Sequence, residues 1–275
     1  MKTAISLFII LSLFGCSTTK EKKITQKKAE LYYGHGTENL ISKNYSEALE
    51  FLIKADELDP DNSKIINNMA MAYYFKKQNK TAIKLLKKAI KLDSKNSDAK
   101  NNLASIYVDL NMLPEARVLY EKVKEDLIYP HQYRTFYNLA VIAEKENRLN
   151  LMISYLEKSI KEREDYCPSH IKLGRFYLSQ KKYSKAIKSF RAGSNGLCYK
   201  YPNSTYYLGY TWEQISENQK AVNKYMELIS SFPKSEFTKM AKIRLQKLTK
   251  DDPILDLRLK KHNTPLKTEL DSVDF

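Results

Sequence analysis

The apolar positions of this 275-residue chain fall at helical spacing, and the same arrangement keeps returning. One kind of segment reads "YSEALEFLIKADELDP" (45–60), "KTAIKLLKKAIKLDS" (80–94), "LPEARVLYEKV" (113–123) and "YSKAIKSFRAG" (183–193). A second kind reads "INNMAMAYY" (66–74), "KNNLASIYV" (100–108), "FYNLAVIA" (136–143), "HIKLGRFYL" (170–178) and "YYLGYTWEQ" (206–214). Ala48 and Ala82 are 34 residues apart, as are Ala82 and Ala116. Each period predicts two helices, A then B. Small residues at positions 8 and 20 let the pair approach closely, and large apolar residues at 7, 11 and 24 fill the space around them. Gly36 with Ala48, Ala70 with Ala82, Ala104 with Ala116, Gly174 with Ala186 and Gly209 with Ala221 are such small pairs. In the fourth period Met152 stands where a small residue is expected.

This period, with its L-G-x₂-Y…A-x₃-F…P pattern, resembles the tetratricopeptide repeat (TPR). The resemblance implies an all-α solenoid of about six helix pairs, in the register 29–62, 63–96, 97–130, 133–166, 167–200 and 202–235. The fourth repeat is offset by two residues and the sixth by one. Residues 236–250, "EFTKMAKIRLQKLTK", suit the polar-faced terminal helix that caps a solenoid. Asp251-Asp252-Pro253 ends it, and 251–275 is expected to be a mobile tail. No second globular domain is expected.

Composition agrees with helix. There are 7 Gly and 8 Pro, and Asn195-Gly196 lacks the flanking alternation of a hairpin. The formal net charge of +15 raises nucleic acid as a partner, but the lysines are spread along solvent faces rather than gathered in one block.

The N-terminus changes the picture more. Lys2 precedes an apolar run ending at Phe14, too short for a good spanning helix, which needs about 20 apolar residues. The arrangement is that of a secretory signal peptide. Leu13-Phe14-Gly15-Cys16 resembles a bacterial lipobox, which implies cleavage before Cys16 and acylation of its thiol. An ordinary signal peptide with an incidental cysteine is the plainer alternative. Ser17 rather than Asp after the cysteine implies, by the same resemblance, the outer membrane, with the protein facing the periplasm. Residues 1–15 are thus read as the signal peptide and 16–28 as the lipidated cysteine with a flexible, Lys-rich tether. Export places the rest in an oxidising compartment, and acylation of Cys16 leaves an even pair. Cys167 is position 1 of its repeat and Cys198 position 32; the antiparallel helices bring both to one edge, so a disulfide is expected.

Solenoids of this kind present a groove lined mainly by the A helices. Its expected peptide-binding positions are Asn67, Asn68, Met71 and Tyr74, then Asn101 and Asn102, then Arg134, Tyr137 and Asn138, then Arg175. Asn amides can pair with a peptide's N–H and C=O together, and tyrosines add rigid contact area. The simpler account of each is a structural Asn or a core Tyr. The Lys/Asn/Arg clamp of carboxylate-binding TPR domains is not carried over, since Tyr33 and Thr37 stand at two of its positions. Chemistry is expected to be absent. "YGHG" (33–36) follows no strand, and Cys167-x-x-His170 with Cys198 lacks a fourth metal ligand. No nucleophile elbow, zincin helix or phosphate loop is found, so neither an enzyme nor a cofactor is expected.

The segment 123–143, "VKEDLIYPHQYRTFYNLAVIA", interrupts the strict period. With the lipobox and the six-repeat layout, this break resembles the TPR pilotin lipoproteins of type IV pilus biogenesis (PilF/PilW). The resemblance implies a non-enzymatic partner that helps a ring-forming secretin reach the outer membrane and multimerise there. The alternative class is the outer-membrane TPR adapters for peptidoglycan hydrolases or outer-membrane protein assembly.

Overall fold

The computed structural model describes the backbone of residues 2–251 and the side chains of residues 21–250. It is all helical there, as the repeat pattern predicts. The helices are α1 (Lys2–Ile41), α2 (Tyr45–Leu58), α3 (Ser63–Phe75), α4 (Asn79–Leu92), α5 (Ser97–Asp109), α6 (Leu113–Lys124) and α7 (Gln132–Lys145). They continue as α8 (Leu149–Glu162), α9 (Cys167–Ser179), α10 (Tyr183–Ala192), α11 (Pro202–Gln214), α12 (Asn218–Ser231) and α13 (Glu236–Asp251). Odd-numbered helices up to α11 are A helices and even-numbered ones B helices. The chain forms two compact units, residues 1–138 and 139–275, with the division inside α7.

The turn from A to B repeats with its chemistry intact. Lys43, Lys77, Asn111, Asn147, Lys181 and Ser216 all have φ between 54° and 67°. Each is position 15 of its repeat, so the left-handed residue follows the two offsets in the register. At each turn the next residue's N–H reaches back five positions, as Gln78 does to the Tyr73 carbonyl at 2.9 Å. The left-handed residue itself bonds three back, as Lys77 does to Tyr74 at 2.8 Å. This is the Schellman pattern, which satisfies the carbonyls a helix end leaves open. The first two B-to-A turns use side chains instead. Asn62 Oδ1 accepts from the N–H of Lys64 at 3.0 Å and of Ile65 at 3.4 Å, and Asn96 Oδ1 from Ala99 at 2.9 Å. Pro114, Pro168 and Pro202 start α6, α9 and α11, where a missing N–H costs nothing.

Within each pair the small residue at position 8 meets the large one at position 24. A Cβ on Gly36 would lie 2.6 Å from Leu52 Cγ, and one on Gly174 would lie 2.6 Å from Phe190 Cε1. Both large side chains are fully buried. Met152 is fully buried as well, its unbranched chain filling a site that elsewhere holds alanine.

Three local features depart from the simplest reading of the sequence. The segment expected to be a flexible tether lies in α1. It holds neither Gly nor Pro and is rich in Lys, with Glu21 and Gln26 beside them, all good helix formers, and the Thr25 hydroxyl donates to the Glu21 carbonyl at 3.1 Å. The acylation expected at Cys16 and the mobility expected of 252–275 fall outside the described side chains and residues. Second, the break at 125–131 is an ordered loop. The Gln132 side-chain amide donates to the carbonyls of Val123 at 2.9 Å and Asp126 at 2.7 Å, and the Tyr129 hydroxyl donates to Asp98 at 2.7 Å. Third, α10 stops early at Ala192. Gly193 sits where a Cβ would come within 2.8 Å of Ser204 Oγ, and Gly196, at φ +55°, opens a single 3-10 turn. That turn brings Cys198 onto Cys167 in a disulfide, with 5.4 Å between the Cα atoms. The pair packs with Ile171 and Tyr201. The imagined metal set around His170 therefore has no free thiolates, and His170 Nε2 instead donates to the Glu164 carbonyl at 2.7 Å.

Candidate peptide-binding face

In the first unit the A helices α1, α3 and α5 are laced together by side-chain amides. Asn102 Nδ2 donates to Asn67 Oδ1 at 2.9 Å, Asn67 Nδ2 to Asn68 Oδ1 at 3.0 Å, and Asn68 Nδ2 to Thr37 Oγ1 at 2.8 Å. The Thr37 hydroxyl then donates to the Tyr33 carbonyl at 2.8 Å. A repeat of about 34 residues places positions 5 and 6 of successive A helices side by side, so each Asn pair reaches the next. Sequence reasoning assigned these amides to a bound segment; the structure commits one N–H of each of Asn102, Asn67 and Asn68 within the chain itself. Asn67 is only 6% exposed. At the open end of the spine the carbonyl oxygen of half-buried Asn102 takes no donor among the described residues. Asn101, equivalent to Asn67 one repeat on, is equally buried, and its Oδ1 has no donor there.

Further side chains lie on the same A helices and on α7. Met71, Ser105, Tyr137 and Asn138 are half-buried, and Arg134 is exposed with its guanidinium 5.6 Å from the Tyr133 ring centre. The Tyr74 hydroxyl donates to the Asp109 carboxylate across one repeat. Burial first, then Asp109, pushes the Tyr74 phenol up to about 12, so it remains a hydrogen-bond donor throughout the physiological range. Asp109, like Asp98 and Thr37, was missed in the sequence. Each lies one repeat from its partner, and only the 34-residue period signals such pairs. In the second unit the exposed Arg175 sits over Tyr207 at 5.4 Å, and Tyr206 stacks on Tyr210 at 6.3 Å.

The tetratricopeptide repeat profiles match residues 76–127 in one case and residues 29–62, 133–166 and 168–193 in another, together more than half of the chain. The chain belongs to the tetratricopeptide repeat family. No curated protein sequence matches this TPR chain. Among solved structures, pilF of Pseudomonas aeruginosa shares 19% identity and covers 80% of this chain and 99% of its own, with a TM-score of 0.66. PilW, a widely conserved type IV pilus biogenesis factor, shares 19% identity over 77% of this chain and 97% of its own, with a TM-score of 0.65. The Cut9–Hcn1 hetero-tetramer of the APC/C matches at 0.64 and 16% identity; it covers 80% of this chain, which spans 42% of that one. At these identities the likeness is one of fold, and the TPR fold is a platform for protein partners.

Proposed function

We propose that this TPR protein is an outer-membrane lipoprotein of the pilotin type, anchored through acylated Cys16 and facing the periplasm, that holds a secretin subunit while its ring assembles. The observation that carries the reading is the A-helix face of the first unit. Its amide spine is internally bonded and stiff, while Met71, Ser105, Tyr137 and Arg134 stand along it. A face pre-ordered in this way binds a client segment without the entropy cost of ordering itself. The lipobox and the break at 125–131 support the pilotin class over other scaffolds, as does the likeness in fold to a type IV pilus biogenesis factor over 77% of this chain and 97% of that one.

The test is made on the face itself. Met71→Glu with Ser105→Glu sets two carboxylates beside the spine without removing any of its hydrogen bonds. A carboxylate left unpaired under a bound segment should weaken binding about tenfold or more. In cells, fewer heat-stable secretin multimers and fewer surface pili are expected at normal levels of the variant protein. Normal multimers and pili in that strain and in a deletion strain would overturn the reading and favour the hydrolase-adapter class. The anchor has its own check. Cys16→Ser should abolish labelling by a palmitate analogue and release the protein from the outer-membrane fraction, and unchanged fractionation would refute it.

A further inference from the structure

The two most exposed large aliphatic side chains among the described residues are neighbours, Leu127 at 91% and Ile128 at 92%. They occupy the corners of a β-turn, in which the Tyr129 N–H donates to the Asp126 carbonyl at 3.1 Å. Both ends of the turn are fastened to the start of α5. The Ser97 hydroxyl donates to the Asp126 carboxylate at 2.6 Å, and the Tyr129 hydroxyl to that of Asp98 at 2.7 Å. Turn corners ordinarily go to Gly, Pro, Asn, Asp or Ser. Here an ordered frame holds two aliphatic side chains out in solvent, a local rule broken with no gain in packing.

The place of the turn in the first unit points to what covers it. A helices begin at the edge where B helices end, and the turn lies on that edge, between α6 and α7. Residues 16–28 of α1 precede the first repeat, so they leave the unit from the same edge and run outward to Cys16. At 1.5 Å per residue they span about 20 Å. Lys22, Lys23, Lys27 and Lys28 are exposed along this stretch, so it can lie over lipid headgroups and bring the edge down to them. Around the turn itself the charges balance, Lys122, Lys124 and Arg134 against Glu121, Glu125 and Asp126. Two side chains also fall well short of the about 800 Å² that each partner gives to a standard protein interface. An apolar tip on a neutral base fits the interior of a bilayer, which needs no shaped socket.

We propose that the Leu127–Ile128 turn inserts into the acyl layer of the phospholipid membrane beside the anchor. The inference deepens the anchored reading above and rests on it for the presence of a bilayer. A second membrane contact restrains rotation about α1, and so fixes how the A-helix face is turned toward an arriving client.

The probe is the acylated full chain carrying Ile128→Trp with Trp212→Phe, which leaves a single indole. It is reconstituted into protein-free phosphatidylcholine vesicles, with and without added phosphatidylglycerol. Flotation with the vesicles reads the anchor, and quenching by lipid brominated along its acyl chains reads the turn. Brominated lipid should quench the indole at least about twofold in both kinds of vesicle. With Val118→Trp as the single indole instead, exposed on α6, no quenching is expected. Adding Leu127→Asn to the first chain should shift the turn about tenfold from lipid toward water, because one aliphatic side chain is lost from the contact. Asparagine suits a turn corner, so the melting temperature should hold. A chain that floats without quenching overturns the insertion and leaves the anchor standing. Equal quenching at position 118, or quenching only with phosphatidylglycerol, overturns it as well, since either would mean unspecific adhesion of a basic surface. A chain that does not float removes the anchor and the insertion together.

Discussion

Replacing Cys198 with serine is expected to destabilise the second unit by about 3–4 kcal/mol. The bond joins residues 31 apart, and opening that loop returns its closure entropy to the unfolded chain. The loss should be felt locally. α10 is short, and the chain from Gly193 to Tyr201 is held by single turns rather than by a helix. Without the bond, the 3-10 turn that carries Cys198 keeps few ties to α9. Urea unfolding of the oxidised protein, the Cys167→Ser/Cys198→Ser double variant and the reduced protein should give one high and two matching low stabilities. Hydrogen exchange should quicken first in 193–201. A difference below about 1 kcal/mol between oxidised and reduced protein would show that the link merely joins two residues already held in place. In an oxidising compartment this bond compensates for the turn that Gly193 and Gly196 make necessary.

The repeat architecture was legible because it rests on short-range rules. Small residues at positions 8 and 20 and large ones at 24 can be counted in the sequence, and the two offsets in the register recur in the left-handed turn residues Asn147 and Ser216. The partners of polar side chains were not legible. Asn67, Asn68 and Asn102 were correctly placed on the A-helix face, but sequence gives a position on a helix and not the residue across from it. The bonds these amides make across the A helices were therefore not foreseen. The tether illustrates a different limit. A polar, Lys-rich stretch is compatible with coil or with the continuation of a helix that begins elsewhere, and in the absence of Gly or Pro nothing stops α1. The loop at 125–131 was visible as a break in period, yet its order comes from Gln132, a residue whose sequence context carries no such signal.

Glu213→Ala should cost about 3 kcal/mol and loosen the capping helix α13 before any other part of the second unit. The Glu213 side chain, 9% exposed, accepts from the Tyr225 hydroxyl at 2.8 Å and from Arg244 Nε at 2.9 Å, and its other oxygen accepts from Arg244 Nη2. Arg244 comes from α13 and lies 5.1 Å from the Tyr210 ring centre, so one carboxylate ties α11, α12 and the cap together. Burial first, then Glu213, holds the Tyr225 phenol far above the usual tyrosine range. Removing the carboxylate leaves a guanidinium and a hydroxyl without their acceptor beside Tyr206 and Phe237, and that desolvation is what makes the single change expensive. The pair's net worth is a separate quantity. Glu213→Leu with Arg244→Met puts apolar groups of similar size in place of both charges, and should recover much of the loss. A double-mutant cycle measured by urea unfolding, with amide exchange read along 236–250, separates the two. Coupling of about 1.5 kcal/mol or more is expected. If both single variants cost under about 1 kcal/mol and exchange in α13 is unchanged, the cap is held by its apolar face, Ala241 and Leu248 with Phe237 and Leu245, and the ion pair is incidental.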